Sequence, residues 1–504
     1  MNKGSLALMF AAAVCGACSR TRNPEVERIA ILPFENLTGD ASLDWISSAG
    51  PTVVNDELLG GAARAVPVRV AAVRDAYGSG ATQLVHGYVE KRRGSNSKEG
   101  DHFEFVIEDA QTHKTLQTLA TDGDPLPSLD LLAKQIDTSA HVFSTTNPQA
   151  VAAWGRGDYE KAVSLDPGFG AAWLSWVQAR VAAANDPQAK QQASEIATRA
   201  LGQTSLQSPV DRAQLEYLSA SLRQDEPGQE RALTALAKLM PHDVTLLGQL
   251  ATRETDARRF AEAARYYQAM LQEDPDNIEI WNQLGYVQAL AGDLESAKQS
   301  FERYGRDPAH TANALDSKGE AEFLNGKFAD AEKDFLDAHA KSSALLGGGD
   351  LLKAAYSRWL EGDLPGADKL FSQYAAFRTQ QKDTLIPWRQ AVWEYSTGRT
   401  EAAIARLSNV TGPAANIAHA QLAVWKDPSK LPHDLAALKQ AYEKTTPAAD
   451  GIPRVFYAAA LAEAGQKDEA RKLIALWPVP GLENDPLIQS FVFPKYLELK
   501  RELK

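Results

Sequence analysis

The stretch Asn277–Pro308, NIEIWNQLGYVQALAGDLESAKQSFERYGRDP, decides the fold of most of this chain. Apolar or small residues recur every three or four positions on both sides of Gly292-Asp293. This spacing predicts two amphipathic helices joined by a tight turn, with the small residues Gly285 and Ala297 where the helices approach closely. One such hairpin cannot bury its apolar face alone, so it requires neighbours of the same design.

The same pattern recurs at a fixed interval along the chain. Leu247 stands 34 residues before Trp281, Leu315 stands 34 residues after it, and a further copy with Leu351 is shifted by two residues. The period and the order W-L-G…A…F resemble the tetratricopeptide repeat (TPR). This resemblance implies a right-handed α-solenoid in which each hairpin contacts mainly its neighbours.

We predict that the solenoid covers residues 146–484. The C-terminal segment 485–504 is predicted to form the capping helix that such arrays need at their ends. A hydrophobic fraction of 44% and a charged fraction of 23% are typical of a folded chain. The formal charge of −12 argues against a nucleic-acid partner, because neutralising phosphates requires clustered Lys and Arg.

The first residues, MNKGSLALMFAAAVCGACSR, have the composition of an export signal. Their apolar run is too short to span a bilayer. The ending Cys15-Gly-Ala-Cys18 resembles a bacterial lipoprotein signal, so residues 1–18 would be the signal peptide and Cys18 the lipidated residue. This implies a membrane contact through the lipid anchor and a place on the periplasmic side of the outer membrane. The alternative is plain secretory cleavage after Ala17, which gives a secreted or periplasmic protein.

Between a linker at 19–26 and the solenoid, residues 27–145 alternate apolar strand-like runs with helical spacing. This pattern predicts a small α/β domain. Its opening ILPFENLTGD, Ile31–Asp40, and the later GYVEKRRG and FEFVIEDAQTHKTLQTLATDGD resemble the domain related to the TolB N-terminal domain and FlgO-type lipoproteins. The fold class is therefore α+β overall and mainly α.

Nothing in the sequence indicates catalysis. The motifs HExxH, GxSxG and the P-loop are missing, the histidines have no metal-ligand spacing, and no cysteine follows residue 18. We therefore predict a non-enzymatic protein without metal or cofactor, and a hydrolase that uses an unrecognised site in the α/β domain stays as a minor alternative.

In the TPR family, fixed places on the first helix of each hairpin line a concave groove. Counting Trp281, Leu315 and Leu351 each as place four, these places hold aromatic, acidic and amide residues that could bind a protein or peptide partner. The predicted groove residues are Glu279, Asn282, Tyr286, Asn313, Asp316, Glu320, Phe323, Tyr356 and Trp359. The alternative for Phe323 and Trp359 is that they only pack between adjacent hairpins.

These features together predict an exported scaffold that binds a protein or peptide partner, with cell-envelope assembly as its setting. The alternative is a partner-binding or sensory module of a bacterial signalling system, associated with a kinase or cyclase. The sequence itself contains no kinase, cyclase or DNA-binding segment, so in that case the output would lie on the partner.

Overall fold

The computed structural model describes most of the chain after residue 26. The described residues are 27–59, 65–68, 76, 81–93, 99–138, 140–183, 188–412, 415–427, 433–445, 447, 451–477 and 486–503. The predicted signal peptide, the lipidation site Cys18 and the linker 19–26 lie outside these ranges, so the expectations for them stay predictions.

The first part of the described chain forms one mixed sheet. Its strands are β1 Glu27–Ile31, β2 Glu35–Asn36, β3 Ala65–Val68, β4 Gln83–Arg93, β5 Glu99–Asp109 and β6 Thr115–Asp122. The order across the sheet is β3-β1-β4-β5-β6, with β2 beside β4. β1 runs parallel to β3 and β4, whereas β4, β5 and β6 form an antiparallel meander.

Alternation of side chains gives this sheet a buried face. Phe103, Phe105 and Ile107 of β5 point to the same side and are at most 6% exposed. Two helices, α1 Trp45–Leu59 and α2 Pro125–Ile136, bury apolar residues in the same core.

The rest of the described chain is helical, and most of its helices pair as antiparallel hairpins. The helices are α3 Pro148–Gly155, α4 Tyr159–Leu165, α5 Gly170–Ala182, α6 Ala189–Leu201, α7 Pro209–Arg223, α8 Glu226–Leu239, α9 Val244–Asp256, α10 Phe260–Glu273, α11 Ile278–Leu290, α12 Leu294–Tyr304, α13 Thr311–Leu324, α14 Phe328–Lys341, α15 Gly349–Leu360, α16 Leu364–Gln380, α17 Ile386–Ser396, α18 Thr400–Ser408, α19 Ala415–Lys426, α20 Leu435–Lys444, α21 Gly451–Glu463, α22 Lys467–Leu473 and α23 Pro486–Glu502. The α+β, mainly α fold class with a helical-hairpin solenoid is thereby confirmed.

The turn between α11 and α12 shows why the hairpins form where they do. Gly292 adopts φ +85°, a left-handed conformation that a residue with a β-carbon avoids. Asp293 then caps α12, because its side chain accepts a hydrogen bond from the Ser296 N–H at 3.2 Å. One glycine and one aspartate thus end the first helix and start the second.

The sheet domain and the first hairpins share one hydrophobic core. Phe143, in the connection between them, packs against Trp154 of α3 and against Phe169, with ring centroids 5.9 and 5.5 Å apart. Phe169 is fully buried. The first hairpins therefore pack directly against the sheet domain near residue 145.

Candidate partner-binding site

Small residues set the distance between the two helices of each regular hairpin. A β-carbon on Gly285 of α11 would lie 2.6 Å from the Phe301 ring of α12, and one on Gly319 would lie 2.8 Å from Phe335. Both phenylalanines are fully buried. This close packing fixes the direction in which the first helices present their remaining side chains.

Three predicted groove residues converge on a lysine that the sequence analysis did not single out. The Lys353 ammonium on α15 donates to both carboxylate oxygens of Asp316, at 2.8 and 3.0 Å, and to Glu320 Oε1 at 2.7 Å. The Tyr286 hydroxyl donates to Glu320 Oε2 at 2.8 Å and lies 3.0 Å from Ser317 Oγ. This lysine network links three successive first helices, α11, α13 and α15.

Burial governs the electrostatics of the lysine network. The side chains of Lys353 and Asp316 are 1% and 4% exposed. Burial raises the pKa of Glu320, and the charge and hydrogen bond of Lys353 oppose that rise. Burial and the nearby Glu320 charge also raise the pKa of the Tyr286 hydroxyl well above its usual value. Asp316 and Glu320, two of the predicted groove residues, are thus bound to an internal cation.

The aromatic members of the predicted groove do not present an open surface. Phe323 and Tyr356 are 0% exposed and belong to the core between α13 and α17. Trp359 is half-buried and packs against Trp393, with ring centroids 6.4 Å apart. The expectation that Phe323 and Tyr356 meet a partner directly needs correction, because a ligand could reach them only after adjacent hairpins separate.

The remaining predicted residues divide between surface and interior. Glu279 is exposed and lies 3.8 Å from His310 Nδ1. Asn313 donates to the Tyr304 hydroxyl at 2.8 Å, and Asn282 is only 9% exposed. Five of the nine predicted residues keep some accessible surface, and their role in binding stays a prediction. They are Glu279, Tyr286, Asn313, Glu320 and Trp359.

An open cleft lies one repeat upstream of the lysine network. It has a volume of about 670 Å³ and lies where the hairpin α7–α8 meets α9. Its lining residues are Tyr217, Glu226, Glu230, Leu233, Gly248, Gln249, Thr252, Arg253, Asp256, Ala257 and Arg259.

Counting places along the first helix of each hairpin, which we call the place rule, would also have found this cleft from the sequence. With Leu247 as place four, Gly248, Thr252 and Asp256 fall on places five, nine and thirteen. Place nine in the lysine network is Tyr286 or Glu320, which reach the next hairpin. In the cleft it is Thr252, whose hydroxyl instead donates to Gly248 O of its own helix at 3.0 Å. Short side chains at these places leave the cleft open.

Charged side chains of both signs line the cleft walls. Arg253 lies 3.4 Å from Glu226 and 3.9 Å from Glu230, and Arg259 also lies 3.9 Å from Glu230. Glu226 and Glu230 are more than half exposed. Exposed ion pairs contribute little to stability, so a polar or charged ligand could exchange with them at low cost.

The C-terminal hairpins contact the solenoid beside this cleft. Arg258, between two lining residues, donates to the carbonyl oxygens of Tyr442 and Thr445 at 3.1 and 2.8 Å. Its guanidinium lies 4.0 Å from the centroid of the Tyr442 ring. Farther along, the Trp477 N–H donates to Leu324 O at 2.9 Å. These contacts hold the far end of the array against its middle.

Comparison with known proteins identifies the repeat. Residues 254–320, which include the end of the cleft and helices α10 to α13, match the model of a tetratricopeptide repeat family. The match assigns residues 254–320 to the tetratricopeptide repeat. TPR hairpins are protein-interaction modules, so a protein or peptide partner is supported. Nothing in the TPR match indicates catalysis. No curated protein matches the chain.

Several solved structures show distant likeness to this chain. A PelC dodecamer from Paraburkholderia phytofirmans is 15% identical, covers 22% of this chain and 82% of its own, and has a TM-score of 0.17. The "Structure of Naa15/Naa10 bound to HypK-THB" is 16% identical, with coverage of 70% and 62% and a TM-score of 0.36. The P58(IPK) TPR domain is 12% identical, with coverage of 69% and 93% and a TM-score of 0.19. At these TM-scores the three structures add no argument about this protein.

The structure was also searched for metal sites and for membrane-spanning helices. In the described ranges given above, no cluster of histidine, cysteine, aspartate or glutamate side chains could hold a metal ion. Over those same residues, no helix has both the length and the apolar character needed to cross a bilayer.

Proposed function

We propose that this protein is an exported, lipid-anchored TPR scaffold that binds an extended segment of another protein in the cleft between α7–α8 and α9. The proposal rests on one observation: equivalent repeat places are filled in one part of the array and open in another. These places are filled by internal ion pairs around Lys353, yet they line an open cleft of about 670 Å³ around Thr252. We propose cell-envelope assembly as the setting.

The cleft chemistry supports a polypeptide ligand. The partly exposed Tyr217 offers apolar contact area, whereas Arg253, Arg259, Glu226 and Glu230 offer charged groups of both signs. An extended segment carries backbone donors and acceptors together with side chains of mixed character, so it matches this lining better than a uniformly charged polymer does. The formal charge of −12 agrees with a partner other than nucleic acid.

The proposed anchor rests on the lipoprotein-type ending at Cys18. Several acyl chains on one residue give stable membrane attachment, whereas a single chain gives only reversible binding. Cys18→Ala should therefore release the protein from membranes in a fractionation experiment. Mass spectrometry that finds an unmodified N-terminus at Cys18 or Ser19 would contradict the anchor without affecting the proposed cleft.

Site-specific photo-crosslinking tests the binding site. A photoreactive amino acid replaces Thr252 in the cleft and, as a matched control, the exposed Gln283 on α11. We expect a discrete crosslinked partner at 252 in intact cells and none at 283. The crosslink should disappear when Arg253→Glu is added, because that change reverses a charge in the cleft wall.

The identity of the crosslinked protein decides between the two settings. An envelope-assembly factor supports the proposal, and a kinase or other regulator supports the signalling alternative. A crosslink at both positions that survives Arg253→Glu would place binding outside the cleft. If the partner crosslinks instead to a photoreactive amino acid placed at Glu279, Tyr286 or Trp359, the binding site is the groove predicted from the sequence.

A further inference from the structure

A cluster of acidic side chains is buried where the sheet domain meets the solenoid. Glu57 of α1 and Asp211 of α7 are 1% and 3% exposed. Asp56 and His141 lie beside them, with Asp56 Oδ2 3.7 Å from His141 Nε2. The Asp56 charge acts on both buried carboxyl groups and His141 acts on Asp211, so these groups of α1, α7 and the connection that follows α2 form one electrostatic cluster. We call these four residues the junction cluster.

The junction cluster holds the two parts of the chain together. Glu57 Oε1 accepts a hydrogen bond from the Phe143 N–H at 3.1 Å, and the Glu57 carbonyl accepts one from the His141 N–H at 3.0 Å. Asp211 belongs to the third helical hairpin and packs so closely on α5 that a β-carbon at Gly170 would overlap its carboxylate. The connection to the solenoid is therefore tied to α1 through Glu57.

Hydrogen bonding in the cluster is incomplete. Among the described residues, Glu57 Oε2 and Asp211 Oδ2 are buried and have no hydrogen-bond partner. A buried carboxylate oxygen without a donor is costly when the group is ionised and far less costly when it is protonated. Both carboxyl groups should therefore hold a proton under conditions in which exposed carboxyl groups have lost it.

The surrounding charges agree with this geometry. Burial raises the pKa of Glu57 to about 8, and the charges of Asp130 and Asp56 add to the rise, whereas Phe143 N–H and Lys134 oppose it. Burial and the Asp56 charge raise the pKa of Asp211 to about 7, opposed by the hydroxyls of Ser144 and Ser208 and by His141. Burial disfavours the charged form of His141, but the hydrogen bond and charge of Asp56 raise its pKa overall.

We propose that the junction cluster is a pH-sensitive lock, in which protonated Glu57 and Asp211 hold the sheet domain to the first hairpins and proton release loosens that contact. The lock acts on α1, the connection around Phe143 and α7. Its test measures amide exchange and uses no partner, so the lock and the proposed partner binding can fail separately.

The direction of the pH effect follows from the raised pKa values. In the closed junction Glu57 and Asp211 keep their protons up to about pH 8 and 7, whereas once opened they ionise near their ordinary values of 4.5 and 3.8. The closed state binds more protons over this interval, so opening becomes more favourable as pH rises. Each such group changes the opening constant by about tenfold per pH unit.

Hydrogen exchange of the full chain tests the lock. The exchange rates are first corrected for intrinsic exchange. The opening constant should then rise by as much as about a hundredfold per pH unit between pH 5 and 7 for amides of α1, residues 140–147 and α7. Between pH 7 and 8 the factor should fall to about tenfold, because only Glu57 still holds its proton. Amides of β4 and β5 serve as the internal reference.

Variants separate the lock from ordinary pH sensitivity. Glu57→Gln keeps an acceptor for the Phe143 N–H but cannot ionise, so it should reduce the dependence between pH 5 and 7 to about tenfold per unit. Asp211→Asn should do the same, and the exposed Glu295→Gln on α12 should leave the wild-type dependence unchanged. Wild-type junction amides that follow the β4–β5 reference at every pH would overturn the proposal. So would a Glu57→Gln protein that keeps the full wild-type dependence.

Discussion

Side chains at the same repeat places have opposite effects in the lysine network and in the cleft. Around Lys353, long side chains at these places join first helices through buried charges, and the space between hairpins is filled. One repeat upstream, Gly248 and Thr252 stop short of the neighbouring hairpin and leave about 670 Å³ open. The comparison shows that repeats of one array differ in how completely side chains fill the space between hairpins.

The largest effect should come from breaking the lysine network at its cation. Lys353→Met keeps a side chain of similar length but leaves Asp316 and Glu320 buried without a counter-charge. Loss of one partner from a buried ion pair costs about 3–5 kcal/mol, so the free energy of unfolding should fall by that amount in urea denaturation. The matched control Lys333→Met removes an ammonium that is 72% exposed and should cost below about 0.5 kcal/mol. Equal losses for both variants would show that the network does not hold the hairpins together.

Close helix packing in the filled region gives the second test. Gly285→Ala would place a β-carbon 2.6 Å from the Phe301 ring, which is fully buried. Overpacking of this kind costs about 1–3 kcal/mol, measured by thermal or urea unfolding. Because repeats couple mainly to their neighbours, hydrogen exchange should rise in α9 to α14 more than in the sheet domain. A uniform rise across the whole chain would contradict this coupling.

A second buried acidic residue in the filled region predicts a pH dependence. Burial, with the Asp334 charge, raises the pKa of Glu322 to about 7, while Lys318 and Lys298 oppose the rise. Since the unfolded chain releases this proton near pH 4.5, stability should be lost as pH rises from there through about 7. Glu322→Gln should therefore gain on the order of 1–2 kcal/mol over the parent at pH 8 and little at pH 5.

Paired denaturation curves at the two pH values measure this difference. The exposed Glu302→Gln on α12 is the matched control and should be neutral at both. A Glu322→Gln protein that is less stable than the parent at pH 8 would mean that the 3.3 Å contact with Lys298 outweighs the cost of burying the charge.

Sequence patterns predicted the elements but not the contacts between them. The 34-residue period indicated the repeats because helix spacing, the Gly292 turn and the Gly285–Phe301 contact all depend on residues within one hairpin. Counting repeat places put Asp316 and Glu320 on the groove side of α13, and both bind Lys353. It missed Lys353, because that residue lies outside the groove places and reaches them only through the crossing of α13 and α15.

Accessibility was the least predictable property of the site. Whether Tyr356 or Thr252 faces solvent depends on the distance between adjacent hairpins. The sequence of a single repeat does not determine that distance. Tyr356 is fully buried because Phe371 and Trp393 surround it, and these residues are contributed by the next two hairpin helices. The junction cluster is a similar case, since Asp56 and Asp211 are 155 positions apart in the sequence and only the fold brings the Asp56 charge close enough to raise the pKa of Asp211.

The smallest effect should come from the same glycine substitution made in the cleft. A β-carbon on Gly248 would lie 3.3 Å from Met270 Cε, the free end of a flexible side chain that can move aside. Replacing a helical glycine by alanine stabilises a helix by about 0.5–1 kcal/mol, which should offset the small cost of moving the methionine. The net change in unfolding free energy should therefore stay within about 0.5 kcal/mol. A loss at Gly248→Ala as large as that at Gly285→Ala would show that the cleft is packed as tightly as the lysine network, and the contrast between the two regions would no longer hold.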